Sequence, residues 1–171
     1  MAIIEEIRNR DAATIARKVL REEFPGIRFS VRTAQRGDSV DVRWTDGPTS
    51  EAVEGAIGFL EGKRFDGMTD STSYAPPVLY EGRIIGTHCY VFAHREYSAS
   101  FLRGLVERYR QHCPEDVAPR MEGVAVREYR GGLGAYLEWT GEESEPWTGS
   151  MWLTQEILWT GHRLSASEVL A

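Results

Sequence analysis

Apolar residues recur along this chain with two different periods, and each period predicts an element. From Ala12 the spacing is helical: Ala12, Ile15, Ala16, Val19 and Leu20 share one face, while Arg17, Lys18, Arg21 and Glu22 fall off it. Asp11 stands where a cap belongs and Phe24-Pro25-Gly26 halts the pattern, so the helix spans about residues 12–23. The period then drops to two. Ile27, Phe29 and Val31 alternate with Arg28, Ser30 and Arg32, and Val40, Val42 and Trp44 alternate with Asp41 and Arg43. Two half-buried strands joined through residues 33–39 make an antiparallel hairpin.

Asp46-Gly47-Pro48 turns the chain and Thr49 caps a second helix with the apolar stripe Val53, Ala56, Ile57 and Leu60. Gly62 is placed as its left-handed stop. Residues 65–73 read as a loop, and 74–78, with a proline pair, as an extended edge. Residues 82–95 carry one strong strand, Cys89, Val91 and Ala93 alternating with His88, Tyr90, Phe92 and His94. Ser98 caps a third helix whose face is Phe101, Leu102, Leu105, Val106 and Tyr109. Two strands, 124–129 and 135–139, flank a Gly131-Gly132 turn. Residues 150–159 read as a last helix, with Leu153 and Ile157 inward and Gly161 as its stop. The resulting order, α-β-β-α-β-α-β-β-α, predicts an α+β fold: an antiparallel sheet with helices packed mainly on one face.

Composition bounds this picture. A hydrophobic share of 42% in 171 residues is enough for a core. No apolar run reaches a membrane span, and residues 1–10 carry acids unlike a signal peptide, so no membrane role and a cytoplasmic location, in a bacterial host, are expected. Cys89 and Cys113 make no disulfide framework and read as small buried hydrophobes. The net charge of −6 is unevenly placed: residues 1–113 hold 16 basic and 16 acidic side chains, residues 114–171 hold 4 and 10. That disfavours a globally basic nucleic-acid binder and leaves a local basic face open.

Several segments look familiar together. The first helix closing on FPGIRFSVR, the strand VDVRWTDGP, the helix with Gly62-Lys63, the run Phe65-Asp66-Gly67-Met68-Thr69-Asp70 and the strand ending Tyr90-Val91-Phe92-Ala93-His94-Arg95 are similar to one family pattern over about residues 11–112. The chain resembles the large-polyvalent-protein-associated domain family, type 29, of phage and conjugative-element proteins. The resemblance implies a mobile genetic element as setting and supplies no catalytic residue set.

Each candidate for chemistry competes with a structural role. Asp66 and Asp70 bracket Gly67-Met68-Thr69 as a hard-cation or acid–base pair would; the structural alternative, that they cap loop amides while Phe65 and Met68 plug the core, is preferred because the loop lacks enough oxygen ligands. Gly62-Lys63 lacks phosphate-loop spacing, and Gly131-Gly132-Leu133-Gly134 lacks the strand–loop–helix setting of a dinucleotide site. His88-Cys89 and His112-Cys113 do not make a zinc set, since strand neighbours point to opposite faces. His88 and His94 share a face with Tyr90 and Phe92 between them, read as partly buried under a helix or at an edge. Arg36-Gly37-Asp38 reads as a turn. No metal and no cofactor are expected.

Two surfaces remain as binding candidates. Arg28, Arg32 and Arg43 project from the outer face of the hairpin, where guanidiniums grip phosphate or a partner's acids. Glu142, Glu143 and Glu145 with Trp147 form an acidic, tryptophan-flanked segment suited to a basic partner. The chain is therefore read as a single domain over 1–171, a core at 11–112 and an acidic extension at 113–171. It is expected to be a non-enzymatic accessory protein of a phage, plasmid or prophage that binds a macromolecule, a host defence component among the partners considered. A protein partner is favoured over nucleic acid on net charge. The alternatives are a nucleic-acid-binding domain using the arginine face and a small enzyme with a site near Asp66, Asp70 and His88.

Overall fold

The structure, a computed structural model, describes residues 4–34, 38–130, 134–140 and 150–170, the side chains of 150–152 excepted. The chain divides into two compact units: residues 1–44 with 50–94, and residues 45–49 with 95–171. The fold is α+β. Among the described residues it contains four small sheets, not the one antiparallel sheet expected.

The first unit opens with β1 (Ile4–Ile7) and α1 (Asn9–Glu23). Asp11 does not cap α1 as expected; it sits inside the first turn, where Oδ2 accepts the Arg8 N–H at 3.3 Å. The hairpin of β2 (Ser30–Thr33) and β3 (Ser39–Thr45) forms with Val31 opposite Val42 and Arg32 opposite Asp41. Its inner side chains, with those of α1 and α2 (Ser50–Ile57), build one core in which Val40, Val42, Val53, Ile57 and Leu60 are fully buried. Each such side chain contributes roughly 1.5–3 kcal/mol by leaving water. A bond from Arg17 Nη2 to the Val31 carbonyl, 2.7 Å, ties α1 to the edge strand β2.

Residues 65–73, expected as a loop, form most of a hairpin, β4 (Lys63–Asp66) with β5 (Ser71–Tyr74). Phe65 and Met68 do not plug the core; they are 56% and 94% exposed. The single strand expected over 82–95 is two strands, β7 (Arg83–Thr87) and β8 (Tyr90–Glu96), broken at His88-Cys89. There Thr87 Oγ1 and Cys89 Sγ both turn inward to the Leu60 carbonyl, at 2.6 and 3.4 Å. β7 joins a mixed sheet in the order β1-β7-β6, with β1 parallel to it and β6 (Val78–Tyr80) antiparallel across the turn Glu81-Gly82. Both turn residues have positive φ, the geometry of a two-residue hairpin.

β8 adds to the other side of β3, giving the order β2-β3-β8. It runs in the same direction as β3: the Tyr90 N–H donates to the Asp38 carbonyl at one end, the Asp46 N–H to the Glu96 carbonyl at the other. Gly62 is not a left-handed helix stop. α2 ends at Ile57, a 3-10 turn covers Gly58–Leu60, and Gly62 is needed because a Cβ there would lie 1.8 Å from the Thr87 carbonyl oxygen.

The second unit holds α3 (Ala99–His112), the antiparallel pair β9 (Val124–Glu128) and β10 (Ala135–Trp139), α4 (Ser150–His162) and α5 (Ala166–Leu170). Ser98 caps α3 as expected, its Oγ accepting the Phe101 N–H at 3.1 Å. Phe101, Leu102, Leu105, Met121, Leu153 and Ile157 form a separate core. Gly161 does not stop α4 but lies within it, small because a Cβ would meet Leu105 at 2.5 Å. The Gly131–Gly132 turn, Arg36-Gly37 and the segment 141–149 lie outside the described residues. Among the described residues no helix is long and apolar enough to cross a membrane.

Candidate functional site

The outer face of the sheet β2-β3-β8 follows from strand alternation. Val31, Val40, Val42 and Trp44 are buried and Val91 and Ala93 pack on the same core, so the intervening residues of all three strands face away. Arg32 and Arg43 are exposed there, and Arg28, also exposed, lies just before β2. Arg43 stands opposite Ser30, and Arg32 opposite Asp41. Asp41 is half-buried and its Oδ2 accepts the Ser39 hydroxyl at 3.1 Å.

Beside the arginines, β8, an edge strand of this sheet, carries a row of rings on the face expected to lie under a helix or at an edge. Phe92 is 45% exposed and His94 is exposed. The Tyr90 and Phe92 rings lie 6.1 Å apart with planes 15° from parallel; Phe92 and His94 lie 6.4 Å apart at 26°. The signal was present in the alternation, which puts Tyr90 and Phe92 outward.

At the Tyr90 end the β4–β5 hairpin adds a cation. Lys63 Nζ lies 5.7 Å from the Tyr90 ring centroid and bonds Asp38 Oδ2 at 2.5 Å. That hydrogen bond raises the Lys63 pKa and lowers that of Asp38. The hydroxyls of Thr72 and Tyr90 are 3.4 Å apart. Lys63 pairs with Tyr74 and Phe65 with Thr72, so these four share one face of the hairpin. Tyr74, 65% exposed, stands edge-on to His88 with centroids 5.7 Å apart.

The proposed acid pair is not assembled with His88. Asp66 accepts the Met68 N–H at 2.9 Å and the Thr69 hydroxyl at 3.0 Å, which holds its pKa low, and Asp70 occupies a positive-φ turn position. His88 lies at the open end of the hairpin, its Nε2 3.7 Å from Glu6. Among the described residues no group of three or more His, Cys, Asp or Glu is placed to hold a metal ion. Glu142, Glu143, Glu145 and Trp147 lie outside the described residues.

The second unit contains one notable cation. Arg95 donates through Nε to the Asp46 carbonyl (2.9 Å), through Nη1 to Gly161 (3.0 Å) and through Nη2 to Gly47 (3.2 Å). The Tyr97 and Phe101 rings lie 5.1 and 4.9 Å from its guanidinium carbon. Burial lowers its pKa; burial and then Arg95 lower that of His162, whose Nδ1 is 2.9 Å from the Tyr97 hydroxyl. This arrangement is structural, since carbonyls and rings occupy the guanidinium.

Fold and surface define an α+β domain with one open mixed-sheet face, where arginines lie beside a row of rings. The chain belongs to the large polyvalent protein associated domain 29 family, whose model matches residues 7–98, more than half its length. Domains of this family are typical of polyvalent proteins of mobile elements. The match ends at Ser98, the cap of α3. No curated protein and no solved structure matches the chain significantly.

Proposed function

We propose that this protein is an accessory protein of a mobile genetic element that acts by binding a macromolecule, and that the bound partner is nucleic acid held on the outer face of β2-β3-β8. The observation that supports this reading is the exposure of Arg32 and Arg43 on one open sheet face, with the exposed Arg28 just before β2, beside Tyr90, Phe92 and His94. Guanidiniums supply phosphate contacts, and uncovered rings supply stacking surface. This reading ranks nucleic acid above the protein partner favoured on net charge. The first unit is close to neutral, with 12 basic and 13 acidic residues in its sequence, and most of the acidic excess belongs to the second. Protein capture through Glu142, Glu143 and Glu145 rests on sequence alone.

A gel-shift titration at two salt concentrations tests the reading with wild type, an Arg28→Gln, Arg32→Gln, Arg43→Gln variant and a Glu142→Gln, Glu143→Gln, Glu145→Gln variant. Binding by wild type is expected to weaken with salt. The arginine variant should lose affinity and flatten the salt slope, by up to about 0.7 per lost contact on a single strand and about 0.9 on duplex. The glutamate variant should bind as wild type does. Absence of nucleic-acid binding by wild type, with a basic protein captured only while the glutamates are intact, would restore the original ranking.

A further inference from the structure

Resting on the nucleic-acid reading, we infer that the occupant of this face is a single strand whose bases stack on β8, and not a duplex. A duplex keeps its base faces inside its own stack and offers a protein only base edges and backbone. Exposed aromatic faces on an open sheet are complementary to bases that have left such a stack. The ring spacing points the same way. Tyr90, Phe92 and His94 repeat at 6.1 and 6.4 Å with nearly parallel planes, nearly twice the about 3.4 Å rise per base of a duplex strand. A row at that spacing suits bases pulled apart.

Charge is laid out to match. Arg43 lies on β3, immediately beside β8, and Arg32 on β2 beyond it, so the cations flank the rings on one side. A backbone passing over the arginines leaves its bases over β8. Neighbouring strands are about 4.8 Å apart, within the span from a phosphate to its base. Of the acids nearby, Asp38 is paired with Lys63, and Asp41, which accepts the Ser39 hydroxyl, stands opposite Arg32 in the hairpin. At the Tyr90 end the hairpin extends the surface, with Lys63 over the Tyr90 ring and with Phe65 and Tyr74, both more than half exposed, on its Lys63 face. This accounts for large aromatic groups left in water on a hairpin that contributes little to the core.

The test is fluorescence anisotropy of the full chain with labelled oligothymidylate and with a mixed-sequence duplex of equal length. Wild type is expected to bind the single strand at least about ten-fold more tightly than the duplex. Phe92→Ala should weaken single-strand binding by about ten-fold, and Tyr90→Ala with Phe92→Ala by more, with the salt slope unchanged because no phosphate contact is removed. Phe92→Tyr should retain wild-type affinity, which separates loss of the ring from loss of the fold. Equal or tighter duplex binding, or single-strand binding unchanged in the double variant, overturns this inference and leaves the nucleic-acid reading standing. Failure of wild type to bind either probe overturns both.

Discussion

Replacing Gly62 with alanine should remove about half the stability of the first unit, although it adds one methyl group. A Cβ at this position would stand 1.8 Å from the Thr87 carbonyl oxygen, 2.3 Å from its carbonyl carbon and 2.4 Å from its Oγ1. The first two are backbone atoms and no rotamer moves them. Relief requires the strand entry at Gly62 to separate from the 87–89 segment. That strains the bonds from the Gly62 and Lys63 N–H groups to the Cys89 carbonyl, 3.0 and 3.3 Å, and the buried Thr87 hydroxyl bond to Leu60, 2.6 Å. Two or three such bonds at about 1 kcal/mol each, with an overpacking cost of about 1–3 kcal/mol, give a loss of about 3–6 kcal/mol. A unit of about 90 residues holds on the order of 5–13 kcal/mol in total. Gly58→Ala is the control, because a Cβ there meets nothing within 4 Å and the same chemical change should cost less than about 1 kcal/mol. Trp44 is the one tryptophan of the first unit and is buried, so the fluorine signal of 5-fluorotryptophan at this position reports unfolding of that unit in urea. A Gly62→Ala midpoint matching that of Gly58→Ala would refute the close-approach argument.

The second unit carries two further predictions. Arg95→Met removes a donor from the Asp46, Gly47 and Gly161 carbonyls, of which Gly47 keeps the Ala166 N–H and Gly161 the Leu164 N–H, and should cost about 1–3 kcal/mol by urea denaturation; Arg95→Lys should recover only part of it because one ammonium does not span three carbonyls. His162 has a folded pKa below its ordinary value near 6.5, through burial and Arg95, so the unfolded chain binds its proton more readily. Its contribution to stability is therefore complete above about pH 6.5 and is lost as pH falls from there through the folded pKa; a pH series of urea midpoints should decline over that window, and His162→Gln should flatten the decline.

Local periodicity made much of the molecule legible. The faces of α1, α2 and α3, the β2–β3 hairpin and the Ser98 cap were read from spacing alone, because amphipathic period and cap chemistry act within a few residues. The outward placement of Arg32 and Arg43 follows from the same alternation, and Arg28 is exposed although it precedes β2. The rest depended on partners distant in sequence. Whether β8 lies beside β3, and in which direction, is decided by how far-apart segments close their loops and cover a shared core, which no short window encodes. That parallel pairing is what sets the rings beside the arginines. Phe65 and Met68 read as core because they are apolar, yet exposure is set by whether another element covers them, and none covers them fully. β1 was missed because Glu5 and Glu6 break its pattern; pairing with β7 supplies its order instead. Gly62 looked like a helix stop because glycine suits one, and only the approach of Thr87 gives its actual reason. The sequence by itself determined which faces are apolar and that arginines line one of them; the tertiary structure decided what stands next to those arginines, because long-range packing, not local propensity, selects which strands meet.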